Sequence, residues 1–202
     1  MAAVQLPGEL VLSTDRLVLR PLETNDVDLL WPDIADPEIS RLMAWDAHST
    51  KEQTAAFVDD EIARRKSGRG VTWAILHNDQ FCGLVSLIGI LRAHRVLTYD
   101  QAELAYWTSR SHQRRGFMTE AGRRVLDFAF RDIGLHKVRV SHFAENKASC
   151  ALIQRLGFRY VGTQLEEFSK ARIWHDHMMY ELLAKEHATL RQNSSDLATI
   201  RA

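Results

Sequence analysis

Residues 101–131 read QAELAYWTSRSHQRRGFMTEAGRRVLDFAFR, and this stretch decides the fold. Over residues 102–108, Leu104 and Tyr106 alternate with Ala105 and Trp107, the two-residue period of a strand. From Met118 the apolar period lengthens. Met118, Ala121, Val125 and Phe128 make one stripe along a helix, while Arg123, Arg124, Asp127 and Arg131 fall elsewhere on its surface. Between the two halves sits Gln113-Arg114-Arg115-Gly116-Phe117-Met118. A strand that turns sharply into a helix leaves the first helical N–H groups without partners, and the positive end of the helix dipole adds to them. Gly116 lets a ligand approach the backbone, and Arg114 and Arg115 carry charge suited to phosphate. The residues therefore predict either a pyrophosphate cradle or an ordinary strand–helix turn with a surface basic cluster. The signatures G-x-x-x-x-G-K-[ST] and G-x-G-x-x-G are absent.

Outward from this unit the chain alternates strands and helices. Residues 16–21 read as a first strand ended by Pro21. Thr24 is the expected cap of a helix carrying Val27, Leu30 and Trp31, and Pro37 opens a second, short one. Thr50-x-x-Gln53 is a capping box for a helix through Phe57, Val58 and Ile62 that ends in Arg64-Arg65-Lys66. Strands follow at residues 71–76 and 81–90 around the turn His77-Asn78-Asp79-Gln80, and residues 91–100 read as a loop. Residues 137–143 read as a fifth strand. A helix through Ala148, Leu152, Ile153 and Leu156 follows, then a last antiparallel pair at 158–165 and 173–182 with a polar link at 166–172. The expected class is α/β (α+β): a mixed, mostly antiparallel central sheet flanked by helices, with a strand–helix–strand crossover. The expected domains are a loose lead-in at 1–10, a single domain at 11–187 and a polar tail at 188–202.

The 202 residues suit one domain with a full core. Hydrophobic residues make up 46% and charged residues 26%, as in ordinary globular proteins. Lys plus Arg equals Asp plus Glu at 26 each, which argues against direct nucleic-acid binding. No apolar run approaches a membrane span, and the N-terminus lacks a secretion-signal pattern. Cys82 and Cys150 are too few for a disulfide framework and read as packed thiols, so the expected location is cytoplasmic. Composition leaves monomer or homodimer open. His175-Asp176-His177 puts two histidines on one strand face without an evident third ligand, so no metal is expected. Trp174 reads as packing, and Tyr180 as core or a pocket phenol.

Gln113-x-x-Gly116-x-Met118 after this strand resembles the acetyl-CoA motif of the GNAT superfamily, Q/R-x-x-G-x-G/A. ELAYWTSRSHQRRGFMTEA and RLVLRPLETND are similar to its ribosomal-protein N-terminal acetyltransferase branch, the RimJ/RimL-like group. Met118 stands where most members have Gly or Ala, so its side chain must point away from the phosphates. Asn146 to Phe158, NKASCALIQRLGF, resembles the family's N-x-x-S/A-x-x-L-x-x-x-x-G-F helix. The likeness covers residues 12–183.

It implies a GNAT fold and acetyl-CoA as cofactor. The pyrophosphate would lie on the backbone of Gln113, Arg114, Arg115, Gly116, Phe117 and Met118, and the pantetheine along Trp107 and Thr108, near Asn146. Asn146 is equally suited to cap its helix. Many members place a tyrosine seven residues after this Asn, where this chain has Ile153. The ribosomal-protein branch uses a serine three residues on, here Ser149, to donate to the departing thiolate; a first-turn serine can also bond its own backbone. The acceptor amine must be neutral to attack, and amine pKa values run from about 8 for an α-amine to about 10.4 for lysine, so a base is needed. By similarity Glu167 is the expected base, acting through a water, and Glu103 an orienting acid. Without the resemblance, both read as ordinary polar side chains. The loop with Trp45 and His48 would form part of the acceptor wall. The implied acceptor is a primary amine: a protein N-terminus, or a small molecule such as an amino sugar, an aminoacyl nucleotide or a polyamine. A non-catalytic acyl-CoA-binding module is the remaining alternative.

Overall fold

The strand-to-helix switch in residues 101–131 is the hinge of the architecture. The computed structural model describes residues 5–200, with side chains to residue 193. Its strands are β1 (Leu12–Ser13), β2 (Val18–Pro21), β3 (Gly70–His77), β4 (Gln80–His94), β5 (Leu97–Thr108), β6 (Lys137–Phe143), β7 (Arg159–Lys170) and β8 (Ile173–Leu183). Its helices are α1 (Val27–Ile34), α2 (Pro37–Ser40), α3 (Lys51–Lys66), α4 (Phe117–Asp127), α5 (Lys147–Arg155) and α6 (Ala184–Ile200). They form one mixed sheet in the order β1-β2-β3-β4-β5-β6-β8-β7. Every neighbouring pair is antiparallel except β5–β6, which α4 joins in parallel, as the expected crossover requires.

The alternation in β5 sorts its side chains between two cores. Ala102 and Leu104 point into the α4–α5 side, where they meet the stripe Met118, Ala121, Val125 and Phe128 with Leu152 and Ile153. Trp107 points to the other side, with Leu30, Ile34 and Val58 of α1 and α3. Each buried Val, Leu, Ile, Phe or Met among them contributes about 1.5–3 kcal/mol by leaving water. Among the described residues no helix is long and apolar enough to cross a membrane.

Three local expectations differ from the structure. The loop expected at 91–100 is a tight hairpin: β4 runs to His94 and β5 starts at Leu97, with Arg95 at φ 55°. The polar link expected at 166–172 is strand up to Lys170, with Ala171 and Arg172 at φ 50° and 65° making the turn. Edge strand β7 is largely exposed, so its polar residues carry no burial pattern and read as loop. A register shift between Gln164 and Phe168 puts Glu166 and Glu167 in a bulge, where the Glu166 N–H donates to Asp176 Oδ1 at 2.9 Å. Thr24 caps nothing; Asp26 closes that turn by accepting the Glu23 N–H at 2.8 Å and binding Arg20.

The polar tail expected from 188 meets α6. Its start is held by the Leu183 N–H on Glu186 and by His187 on Asp127 at 3.2 Å. Leu190 lies against Gly157, which at φ +87° has no Cβ to block it. Of the expected lead-in, residues 1–4 lie outside the described residues; Leu6 and Leu10 pack on the core, and the Leu10 carbonyl accepts Trp73 Nε1–H at 2.6 Å.

Candidate active site

Gly116 is the N-cap of α4 and sits at φ +79°, a left-handed conformation that L side chains adopt only under strain. The first α4 bond at the turn runs from the Glu120 N–H to the Gly116 carbonyl at 3.1 Å. The amides of Phe117, Met118 and Thr119 therefore face the turn without helical partners. Met118 is 8% exposed and packs inward, so its bulk stays out of the turn. Gln113 Nε2 donates to the Thr108 carbonyl at 3.4 Å and ties the turn to the end of β5.

Arg16, from a distant part of the chain, joins the same turn. Its guanidinium binds Glu120 at 2.6 Å and lies 4.9 Å over the Phe117 ring, on which Arg115 also sits at 4.6 Å. Burial pushes the Glu120 carboxyl up, but hydrogen bonds from Thr14 and Arg16 outweigh it and hold it below the ordinary range. Beside the turn lies an open cleft of about 890 Å³ lined by Arg16, Arg114, Gly116, Arg123, Arg124 and Arg155 among others. Five guanidinium groups, free amides and a glycine that leaves the backbone bare fit a polyphosphorylated ligand.

The second feature is a split in the sheet. β5 and β6 pair only at Gln101–Lys137, Ala102–Val138 and Glu103–Arg139. Beyond Glu103, β5 pairs only with β4, and β6 only with β8. The backbone of residues 104–108 thus lines a gap into which an extended amide-bearing arm can add. Trp107 and Thr108 lie at its far end, beside the cradle.

Both motif residues of α5 stand at this gap. Asn146 caps α5, its Oδ1 accepting the Ser149 N–H at 3.0 Å. Ser149 Oγ lies 2.8 Å from the Tyr106 hydroxyl, which reaches across from β5. Burial raises Tyr106 to about 12, against the opposing effect of the Ser149 hydrogen bond. Ile153 is wholly buried, so its position offers no chemistry.

On the opposite sheet face, Glu103 Oε1 accepts Ser141 Oγ–H at 3.2 Å. His177 on β8 shares this face, with Phe168 at 4.8 Å. Burial lowers the His177 pKa, while the charges of Glu103 and Glu167 pull it back up. The structure thus brings Glu103 and Glu167 into the electrostatic reach of one imidazole. His175 pairs instead with Glu145 at 3.3 Å and stacks on Phe143. Trp45 leans on Trp107 at 6.3 Å, and His48 is bonded to Thr54 at 3.0 Å.

Lys170 closes this side. Its ammonium donates to the carbonyls of Ser40, Met43 and Trp45 at 2.7, 2.8 and 2.6 Å, clasping the β7–β8 hairpin to the Trp45 loop. Lys170→Met leaves three carbonyls without this donor. We expect a loss of about 2–4 kcal/mol in urea unfolding and a raised KM for the amine.

Sequence reasoning gave no site role to Tyr106, Arg16 or Lys170, and weighed His177 only as a metal ligand. Tyr106 was legible only as strand alternation. The others take their roles from partners distant in the chain, for which no local signal exists.

The site also sets a pH response. His48, His112 and His177 all lie below the ordinary 6.5 because burial disfavours the imidazolium. The unfolded chain therefore binds protons that these rings refuse. Stability is full above about 6.5 and falls as pH descends from there through the folded values. A further loss follows below the ordinary 4.5 of Glu120 and 3.8 of Asp127. Burial raises both, and hydrogen bonds overcome it. Melting temperatures recorded from about pH 8 to about pH 3 should show both declines, the upper one reduced in His177→Gln.

A glycine-capped, arginine-rimmed helix start beside a parallel strand pair that parts is the framework of a coenzyme A-dependent acyltransferase. The chain belongs to the GNAT acetyltransferase family, whose acetyltransferase (GNAT) domain profile matches residues 16–159. It is an acetyl-CoA-dependent N-acetyltransferase with an amine acceptor. It is 27% identical to the uncharacterized N-acetyltransferase YoaA of Bacillus subtilis over 154 residues, 75% of this chain and 84% of that one. It is 24% identical to spermidine N(1)-acetyltransferase of Escherichia coli over 156 residues, 77% of this chain and 80% of that one. The fold matches RimL, the ribosomal L7/L12 alpha-N-protein acetyltransferase in complex with coenzyme A, at TM-score 0.79 and 19% identity, over 86% of this chain and 98% of that one.

Proposed function

We propose that this enzyme acetylates the α-amine at the N-terminus of a polypeptide, in the manner of the RimJ/RimL-like branch. The observation that carries this reading is the rim of the acceptor face. On the strand face that carries His177, beside the carboxylates, the β7–β8 hairpin exposes Phe168 (41%) and Ile173 (61%). An amine followed by amino-acid side chains can use such an apolar rim; a bare polycation cannot. The likeness to RimL supports the same reading.

In this reading acetyl-CoA supplies the acetyl thioester, held by the amides and arginines around Gly116, with residues 104–108 and Asn146 aligning its arm. Glu167 takes the amine proton through a water, and Glu103 orients the amine. The nitrogen forms its bond to the acetyl carbon as the carbon–sulfur bond breaks, and the electron pair leaves on sulfur. Ser149 donates a hydrogen bond to that sulfur. Attack is direct, with both substrates bound together.

Acetylation of a polyamine is the second reading. It is favoured by the same two carboxylates and by the spermidine-acetylating relative. Release of free thiol from acetyl-CoA with a panel of amines separates the two. We expect kcat/KM for peptides with a free N-terminus to exceed that for spermidine and amino sugars by about tenfold or more. A preference for spermidine would replace the first reading by the second.

A further inference from the structure

The position that could have offered a phenol on α5 holds Ile153, wholly buried. A phenol arrives at α5 by another route. Tyr106 projects from β5 on the α4–α5 side and meets Ser149 Oγ at 2.8 Å, across the gap between β5 and β6. The serine is otherwise committed through its backbone. Its N–H goes to Asn146 Oδ1 at 3.0 Å, and the Asn146 carbonyl is taken by the Cys150 N–H at 3.1 Å. Ser149 is 9% exposed, so water does not freely reorient its hydroxyl.

A hydroxyl pair at this distance shares one proton, and its direction decides where the other points. If Ser149 donates to Tyr106, its proton faces the phenol oxygen and is lost to the reaction. If Tyr106 donates, the serine oxygen is occupied as an acceptor and its own O–H turns into the gap. We propose that Tyr106 is a positioning residue for acetyl transfer: it donates to Ser149 and leaves the serine O–H aimed at the departing sulfur. This rests on the reading of Ser149 as the group that meets the sulfur. Burial raises the phenol to about 12, so Tyr106 keeps the proton that this donation requires.

The test is a double-mutant cycle on the full-length enzyme. Ser149→Ala should lower kcat. Tyr106→Phe should lower kcat about tenfold, with the acetyl-CoA KM within about twofold of the parent. The pair Tyr106→Phe/Ser149→Ala should be no slower than Ser149→Ala alone, because the phenol acts only through the serine. A donor with a more acidic leaving thiol should narrow the Tyr106→Phe defect, which a loss of packing would not do. A slow Ser149→Ala with a full-rate Tyr106→Phe overturns this inference and leaves the serine reading standing. Equal slowing by Tyr106→Phe in both backgrounds also overturns it. A full-rate Ser149→Ala overturns the serine reading and this inference with it. Should Tyr106→Phe fold poorly, a ring-fluorinated tyrosine at position 106 keeps the shape and changes the acidity. Its effect on kcat should then vanish in the Ser149→Ala background.

Discussion

Glu167→Gln should lower kcat at neutral pH by about 10²–10⁴-fold, with little change in the KM for acetyl-CoA. The amide keeps the shape of the bulge in β7 but cannot take a proton. The deficit should shrink as pH rises. An α-amine has a pKa near about 8, so by about pH 9 most of it is already neutral and the base matters less. Glu103→Gln should behave differently. Its carboxylate accepts Ser141 Oγ–H and sits where it can hold an ammonium, so the expected effect is a raised amine KM of about tenfold. Either change removes a charge that pulls the His177 pKa up, so the imidazole should titrate lower in both variants, measurable by NMR. Full activity in both variants would discard the assignment of the base to this pair.

Gly116→Val should raise the Kd for acetyl-CoA by about 100-fold or more while leaving the fold in place. Space is not the obstacle: a Cβ here would meet nothing nearer than Arg16 Nη2 at 3.6 Å. The obstacles are the backbone at φ +79°, where a β-branched residue costs about 1–3 kcal/mol, and the branched side chain standing in front of the phosphate-facing amides. The strain falls on free and bound enzyme alike and shows in stability. The affinity loss comes from the amide contacts: two of them at about 1.5 kcal/mol each are about 3 kcal/mol, or about 100-fold. Isothermal titration with acetyl-CoA measures it. An unchanged Kd would mean that the cofactor does not use this turn.

The turn at the start of α4 was readable because its backbone is contiguous. Gly116, the free amides of α4 and the flanking arginines occupy one turn, and the switch from a two-residue to a helical period marks where that turn falls. The α5 motif was readable for the same reason, since Asn146 and Ser149 are one helical turn apart. The edge of the sheet was harder. In β7 the solvent covers most side chains, so strand and loop look alike in residue type, and Glu166 to Lys170 read as a link. Residues 91–100 failed similarly, because a protruding hairpin has no core on either face to impose alternation.

Local periodicity and motif spacing were thus enough to set the crossover, the mixed sheet and the glycine turn at the start of α4, since each arises from neighbours along the chain. Folding alone brought Tyr106 to Ser149, Arg16 to Glu120, Lys170 to three carbonyls of the Trp45 loop, and Glu103 and Glu167 to His177. Those pairings depend on strand register and on where β5 and β6 part. Register is a property of two segments together, so no single stretch of residues encodes it.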